Sequence, residues 1–121
     1  MKEYTVKWTR EISKQVTKLY LTNEKMTEGL KQEILKIAPD YPQKYFQHWF
    51  KNTHNYAKGI GGTEAGPGTN FMLGFLDAAK ELDLDINLCT QAAESWRKNG
   101  KRKKAIKNWV DENTNQKHKE I

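Results

Sequence analysis

The chain has 121 residues, 36% of them hydrophobic, and a formal net charge of +6. This length predicts one domain with or without an appendage, and 4 Trp, 5 Tyr and 4 Phe are more aromatic residues than disordered chains usually carry. Cys89 is the only cysteine, which excludes an intramolecular disulfide and a multi-cysteine zinc site. The longest apolar stretch, Phe71 to Leu76, is far shorter than the roughly 20 residues that span a bilayer. We therefore expect a cytoplasmic protein with no membrane segment and no bound cofactor.

The charge is divided into three blocks along the chain. Residues 1–58 carry 11 Lys and Arg against 6 Asp and Glu, residues 59–94 carry 1 against 6, and residues 95–121 carry 9 against 3. Two basic segments therefore flank an acidic one. This distribution favours a polyanionic partner. The alternative is that the lysines only keep the surface solvated.

The first half of the chain predicts three helices. Apolar residues recur at helical spacing from about residue 9, where Thr9 is a candidate N-cap, to about residue 21. A second apolar stripe begins near Met26 and should end at Ala38, because Pro39 disfavours helical geometry in the residue before it. The third helix is predicted over about 41–57, with Asp40 as its cap and Pro42 in its first turn.

The second half predicts three more helices after a glycine-rich connection. Residues 59–70 contain five glycines and one proline. A fourth helix, apolar almost all round, should follow a cap at Thr69 or Asn70. A fifth begins after Asp85 and ends near Gly100, its expected C′ residue, and a sixth covers about 102–112.

The predicted fold class is therefore all-α, with about six helices. An N-terminal three-helix unit resembling a helix-turn-helix occupies residues 1–58 and is joined by residues 59–70 to a helical segment over 71–112. A polar tail, residues 113–121, completes the chain.

The third helix has two contrasting faces. Large aromatic residues fall on one face, while the other carries cations, amides and an imidazole without a carboxylate. The polar residues are Lys44, Gln47, His48, Lys51, Asn55 and Lys58, with Asn52 on the border. This composition suits nucleic-acid recognition, because Asn pairs with adenine and Lys reaches the acceptors of guanine. The alternative is that the aromatic face is core and the polar face is only wetted by solvent.

Short motifs in residues 7–58 resemble two helix-turn-helix families. The stretch Trp49 to Asn52, WFKN, resembles the W-F-x-N signature of the homeodomain recognition helix. Myb/SANT domains are similar in four places, at Lys7 to Thr9, Glu33 to Ile34, Ile37 to Pro39 and Gln47 to Trp49. The resemblance implies a third helix in the major groove. It also implies that His48, Lys51, Asn52 and Asn55 face base edges, while Lys44 and Lys58 contact phosphates.

A second cationic cluster lies near the end of the chain. Seven of the eleven residues from 97 to 107 are cationic, namely Arg97, Lys98, Lys101, Arg102, Lys103, Lys104 and Lys107. Four of them precede or open the sixth helix, where positive charge opposes the helix dipole. A sequence that tolerates this local cost predicts a compensating gain from phosphates.

These features lead to several functional hypotheses. The first is a small DNA-binding regulator or accessory factor of a phage or mobile element, with base readout by the third helix and phosphate binding by residues 97–107. The second is a protein-binding module, such as a phage inhibitor of a host factor, and the third is RNA binding.

Catalysis is not expected. His48 and His54 are on different faces of one helix, and Cys89 is on an apolar face where a buried, inert thiol is usual. The acidic residues Asp77, Glu81, Asp83 and Asp85 are interpreted as surface residues and caps, because they form no recognisable metal-binding pattern.

Overall fold

A computed structural model describes residues 9–61, 68–94 and 100–114. These ranges contain six α-helices, one 3-10 turn and no strand, so the all-α prediction is confirmed. The helices are α1 (Arg10–Leu21), α2 (Glu28–Ile37), α3 (Phe46–Ala57), α4 (Gly68–Glu81), α5 (Ile86–Glu94) and α6 (Gly100–Thr114).

Side-chain caps begin three of the helices. The hydroxyl of Thr9 accepts the Ile12 N–H at 3.0 Å, and the hydroxyl of Thr27 accepts the Leu30 N–H at 3.1 Å. The Asp85 carboxylate accepts the Leu88 N–H at 3.2 Å. The predicted caps Thr9 and Asp85 are therefore confirmed, since each satisfies an amide that the helix itself leaves open.

Three predicted helix boundaries are wrong. α3 begins at Phe46 and not near residue 41, because Pro42 is extended (ψ 101°) and leads into a 3-10 turn, Gln43–Tyr45. α4 begins at Gly68, ahead of its predicted caps. Gly100 is the first residue of α6, and not the C′ residue of α5, which ends at Glu94.

A glycine ends α3 in a Schellman motif. Gly59 adopts a φ of 83°, a conformation that favours glycine. Its N–H donates to the Tyr56 carbonyl, and the Ile60 N–H donates to the Asn55 carbonyl. This sharp turn brings the chain beside Leu88 of α5, whose Cδ2 lies 3.0 Å from where a Cβ of Gly59 would be.

α4 is the central helix and packs most extensively on α1. Gly74 allows the close approach, because a Cβ there would lie 2.3 Å from the Ser13 Cβ and 2.7 Å from the Lys14 backbone nitrogen. Other α4 residues are fully buried, including Phe71, Met72, Phe75, Leu76, Ala78 and Ala79. This burial agrees with the prediction of an apolar central helix.

Aromatic rings join α3 to the rest of the core. Trp49 and Phe50 are only 6% and 9% exposed. The Trp49 ring lies 5.7 Å from that of Phe71, and the Phe50 ring lies 5.4 Å from that of Tyr20 in an edge-to-face arrangement. The two halves of the chain, whose relation the sequence leaves open, therefore share one hydrophobic core.

Candidate nucleic-acid interface

The cations of α1 are neutralised by the acidic middle segment. Lys14 and Lys18 each place Nζ within 2.9 Å of a Glu81 carboxylate oxygen. These hydrogen bonds lower the pKa of Glu81 to about 2, the bond from Lys14 contributing most. Part of the opposite charge of the first two blocks is thus paired within the molecule, between α1 and α4.

Asp77 joins three helices. It receives two hydrogen bonds from the Arg10 guanidinium, at 2.6 and 2.9 Å, and one from the Trp109 indole at 2.8 Å. Burial raises the pKa of the Asp77 carboxyl, but the bonds from Arg10 and Trp109 outweigh burial, so the pKa lies below its ordinary value. The interpretation of Glu81 as a surface residue is confirmed, while Asp77 is half-buried. The sequence did not predict that both carboxylates form ion pairs with α1.

The solvent-facing side of α3 retains its positive charge. The exposed residues Lys44, Gln47, His48, Lys51 and Lys58 form what we call the α3 face. The three lysines, which we call the lysine row, are spaced seven residues apart: Lys44 lies in the 3-10 turn before α3, Lys51 within α3, and Lys58 at its C-cap. In the described part of the chain no carboxylate lies within ion-pair distance of these lysines.

The amides predicted to join this surface are less exposed. Asn52 and Asn55 are half-buried. The side-chain nitrogen of Asn52 lies 3.2 Å from Nε2 of His48, so these two side chains form a hydrogen-bonded pair one turn apart. His54 faces inward, and its Nε2 donates to the carbonyls of Tyr20 and Asn23 at 2.7 and 3.0 Å. His54 therefore binds the end of α1 and does not belong to the α3 face.

The predicted basic cluster lies partly at the start of α6. Lys103, Lys104 and Lys107 are exposed and form what we call the α6 face. Lys101 and Arg102 belong to the first turn of α6, which contains no acidic residue. Arg97 and Lys98 lie outside the described residues. The buried Ile106 and Trp109 anchor the opposite side of the helix.

Comparison with known proteins adds no relative. No family model, curated protein or solved structure matches this chain.

The reactive side chains of the described ranges do not converge. Burial first, and the charge of Asp85 second, raise the pKa of the Cys89 thiol to about 11, so it is not a thiolate at neutral pH. No three His, Cys, Asp or Glu residues described here are grouped as a metal site would need. Among the helices that the structure describes, none is long and apolar enough to cross a membrane.

Sequence reasoning missed one exposed apolar pair. Ile60 is 52% exposed and Leu88 is 38% exposed. Ile60 lies in the turn after α3, and Leu88 of α5 lies beside Gly59 in that turn. Neither residue stands out in the sequence, because their proximity depends on the packing of α5 against α3.

Proposed function

We propose that this protein binds duplex DNA and that α3 lies in the major groove. The observation that carries the proposal is the α3 face, where exposed lysines surround Gln47 and His48 while the opposite side is locked into the aromatic core. A helix is 10–12 Å wide with its side chains, and the major groove of B-form DNA is about 12 Å wide. Packing of the opposite side in the core fixes the orientation of the α3 face, and the width of the helix matches that of the groove.

The residues of the α3 face divide by position. Gln47, His48 and Lys51 lie in the first two turns of α3, and such residues contact base edges when a helix enters the groove. Lys44 and Lys58 are at the two ends of the lysine row, where they reach phosphates on either side. Asn52 and Asn55 flank the row and would orient His48 and the neighbouring bases.

Duplex RNA is a poorer fit to the same surface. The major groove of an A-form helix is deep and narrow, so it does not admit an α-helix. A protein that uses its α3 face in the groove should therefore prefer duplex DNA. The role that follows is that of a small regulator or accessory factor of DNA transactions.

A titration against labelled nucleic acids tests this proposal. Random-sequence duplex DNA, single-stranded DNA and duplex RNA are compared by fluorescence anisotropy at low and moderate salt. We expect the tightest binding to duplex DNA, with an affinity that falls steeply as salt rises. Equal affinity for duplex RNA would contradict the groove-binding arrangement, and no binding at low salt would overturn the proposal.

A protein partner is the second candidate, and the exposed pair Ile60 and Leu88 is what favours it. A pair of large apolar side chains in contact with solvent at a tight turn is a suitable anchor for a partner. Substituting Leu88→Asp leaves the cationic surfaces unchanged. Loss of DNA binding in this variant, with folding intact, would favour a role for the turn in the DNA contact over a separate protein site.

A further inference from the structure

The central helix separates the two cationic helices. On one side of α4, Phe71 packs against Trp49 and Phe75 against Tyr56, which are both α3 residues. On the other side, Asp77 bonds to Trp109, and Lys80 bonds to Asn113, which are both α6 residues. With 100° between successive residues, these two sides of α4 are roughly 170° apart. α3 and α6 therefore lie on opposite sides of α4.

Both cationic faces point away from that centre. On α3, Lys51 lies roughly 150° around the helix from Trp49 and Tyr56, which face α4. On α6, the mean direction of Lys103, Lys104 and Lys107 lies roughly 145° from that of Trp109 and Asn113, which also face α4. The two cationic faces are thus exposed on opposite sides of one molecule.

The distance between the faces is large compared with a groove. Packed helices lie 8–10 Å apart, and a helix with its side chains has a radius of about 5–6 Å. Because α3 meets α4 through large aromatic rings and not by close backbone packing, two such spacings and two radii give a minimum separation of the faces of roughly 25 Å. Duplex DNA is stiff over roughly 150 base pairs, so a segment held at one face does not bend around to the other without a large penalty.

We infer that one molecule of this protein bridges two duplex DNA segments, one at the α3 face and one at the α6 face. This inference rests on the proposed function, because it takes DNA binding by the α3 face as given. It adds a second site whose ligand is the phosphate backbone. The three lysines of the α6 face contact phosphates and suit binding without base recognition, and they outnumber the one exposed carboxylate that the structure describes on the same side of the helix, that of Asp111.

A two-duplex capture experiment tests the inference. One 30-base-pair duplex is fixed to beads, a second duplex of the same length carries a fluorophore, and the protein is added at low salt. The wild type should bring the labelled duplex to the beads. K44E/K51E and K103E/K104E change the charge by the same amount on the two faces, and each should reduce the captured duplex by at least about tenfold. K103E/K104E should still bind a single duplex through the α3 face.

The possible outcomes distinguish bridging of two duplexes from DNA binding by the α3 face alone. Single-duplex binding without capture would overturn bridging and leave the α3 proposal intact. Absence of binding to any duplex would overturn both. Capture by K103E/K104E at the wild-type level would exclude the α6 face as the second site. Sedimentation of the free protein should give the mass of the monomer, 14.1 kDa, and a dimer would contradict the assignment of both faces to one molecule.

Discussion

Trp109 of α6 donates its indole N–H to the Asp77 carboxylate at 2.8 Å, and the same carboxylate is paired with Arg10 of α1. Trp109 is buried, so its N–H has no access to bulk water as an alternative acceptor. Asp77 of α4 is thereby bonded to both α1 and α6. The direction in which the α6 face points depends on this bond.

Removing the Asp77 carboxylate should destabilise the protein. D77A leaves the buried Trp109 N–H and the Arg10 guanidinium without their acceptor, and we expect the free energy of unfolding to fall by about 1–3 kcal/mol. Urea denaturation followed by tryptophan fluorescence measures the change. D40A removes an exposed carboxylate and should have little effect. Equal midpoints for D77A and D40A would show that the Asp77 bonds do not hold the helices.

The Glu81 ion pairs predict a dependence of stability on acid. Lys14 and Lys18 lower the pKa of Glu81 from 4.5 to about 2 in the folded state. A carboxyl whose pKa is lower in the folded state stabilises the fold above its unfolded pKa, and this contribution is lost as the pH falls towards the folded pKa. The urea midpoint of E81Q should therefore be below that of wild type at pH 7, and the gap should narrow between pH 5 and pH 2. E33Q, on the exposed side of α2, is the control, and a gap in E81Q that does not vary with pH would contradict this role.

Two glycine substitutions should have opposite signs. G74A places a methyl group against the backbone of α1, so the helices must separate, and we expect a loss of about 2 kcal/mol or more. In contrast, the nearest atom to a Cβ at Gly29 in α2 is 3.9 Å away. G29A should therefore gain up to about 0.5 kcal/mol from the higher helix propensity of alanine, less than in a helix interior because Gly29 is in the first turn. Thermal unfolding compares the two, and a stable G74A variant would contradict the close crossing of α1 and α4.

The first turn of α6 predicts a conflict between stability and binding. Lys103 lies at the positive end of the helix dipole, so K103E should raise the free energy of unfolding by about 0.3–1 kcal/mol. Lys36 lies in the last turn of α2, where a cation is favourable, and K36E should lower stability by a similar amount. If the α6 face binds phosphates, K103E is more stable and yet captures less of the second duplex. A K103E variant that gains stability and captures as much of the second duplex as wild type would indicate that Lys103 does not contact DNA.

Local signals in the sequence predicted most of the fold. Thr9 and Asp85 are caps, and Pro39 marks the end of α2, because each acts on residues only a few positions away. The start of α3 was missed because Pro42 begins a 3-10 turn before the helix. The α3 face was predictable from helical periodicity. Asn52 is half-buried, as its predicted border position requires, and only Asn55 is less exposed than predicted.

The contacts between distant residues could not be predicted in the same way. Arg10 and Asp77 are 67 residues apart, and nothing in either neighbourhood indicates that they meet. Arg10, Lys14 and Lys18 recur every four residues, as do Asp77 and Glu81, but this spacing is common on solvated helices. The cations of α1 and the carboxylates of α4 form ion pairs because Gly74 allows the two helices to pack closely.

The central claim is that α3 contacts duplex DNA. The most direct test is to measure affinity for random-sequence duplex DNA over a range of salt concentrations, for wild type, K51E and K36E. Lys51 and Lys36 are both exposed lysines, but only Lys51 belongs to the α3 face. We expect K51E to bind at least about tenfold more weakly at every salt concentration, because it replaces a cation in the groove by a carboxylate, while K36E binds like wild type. If K51E and K36E lose affinity equally, binding follows net charge, and the assignment of the DNA contact to α3 is wrong.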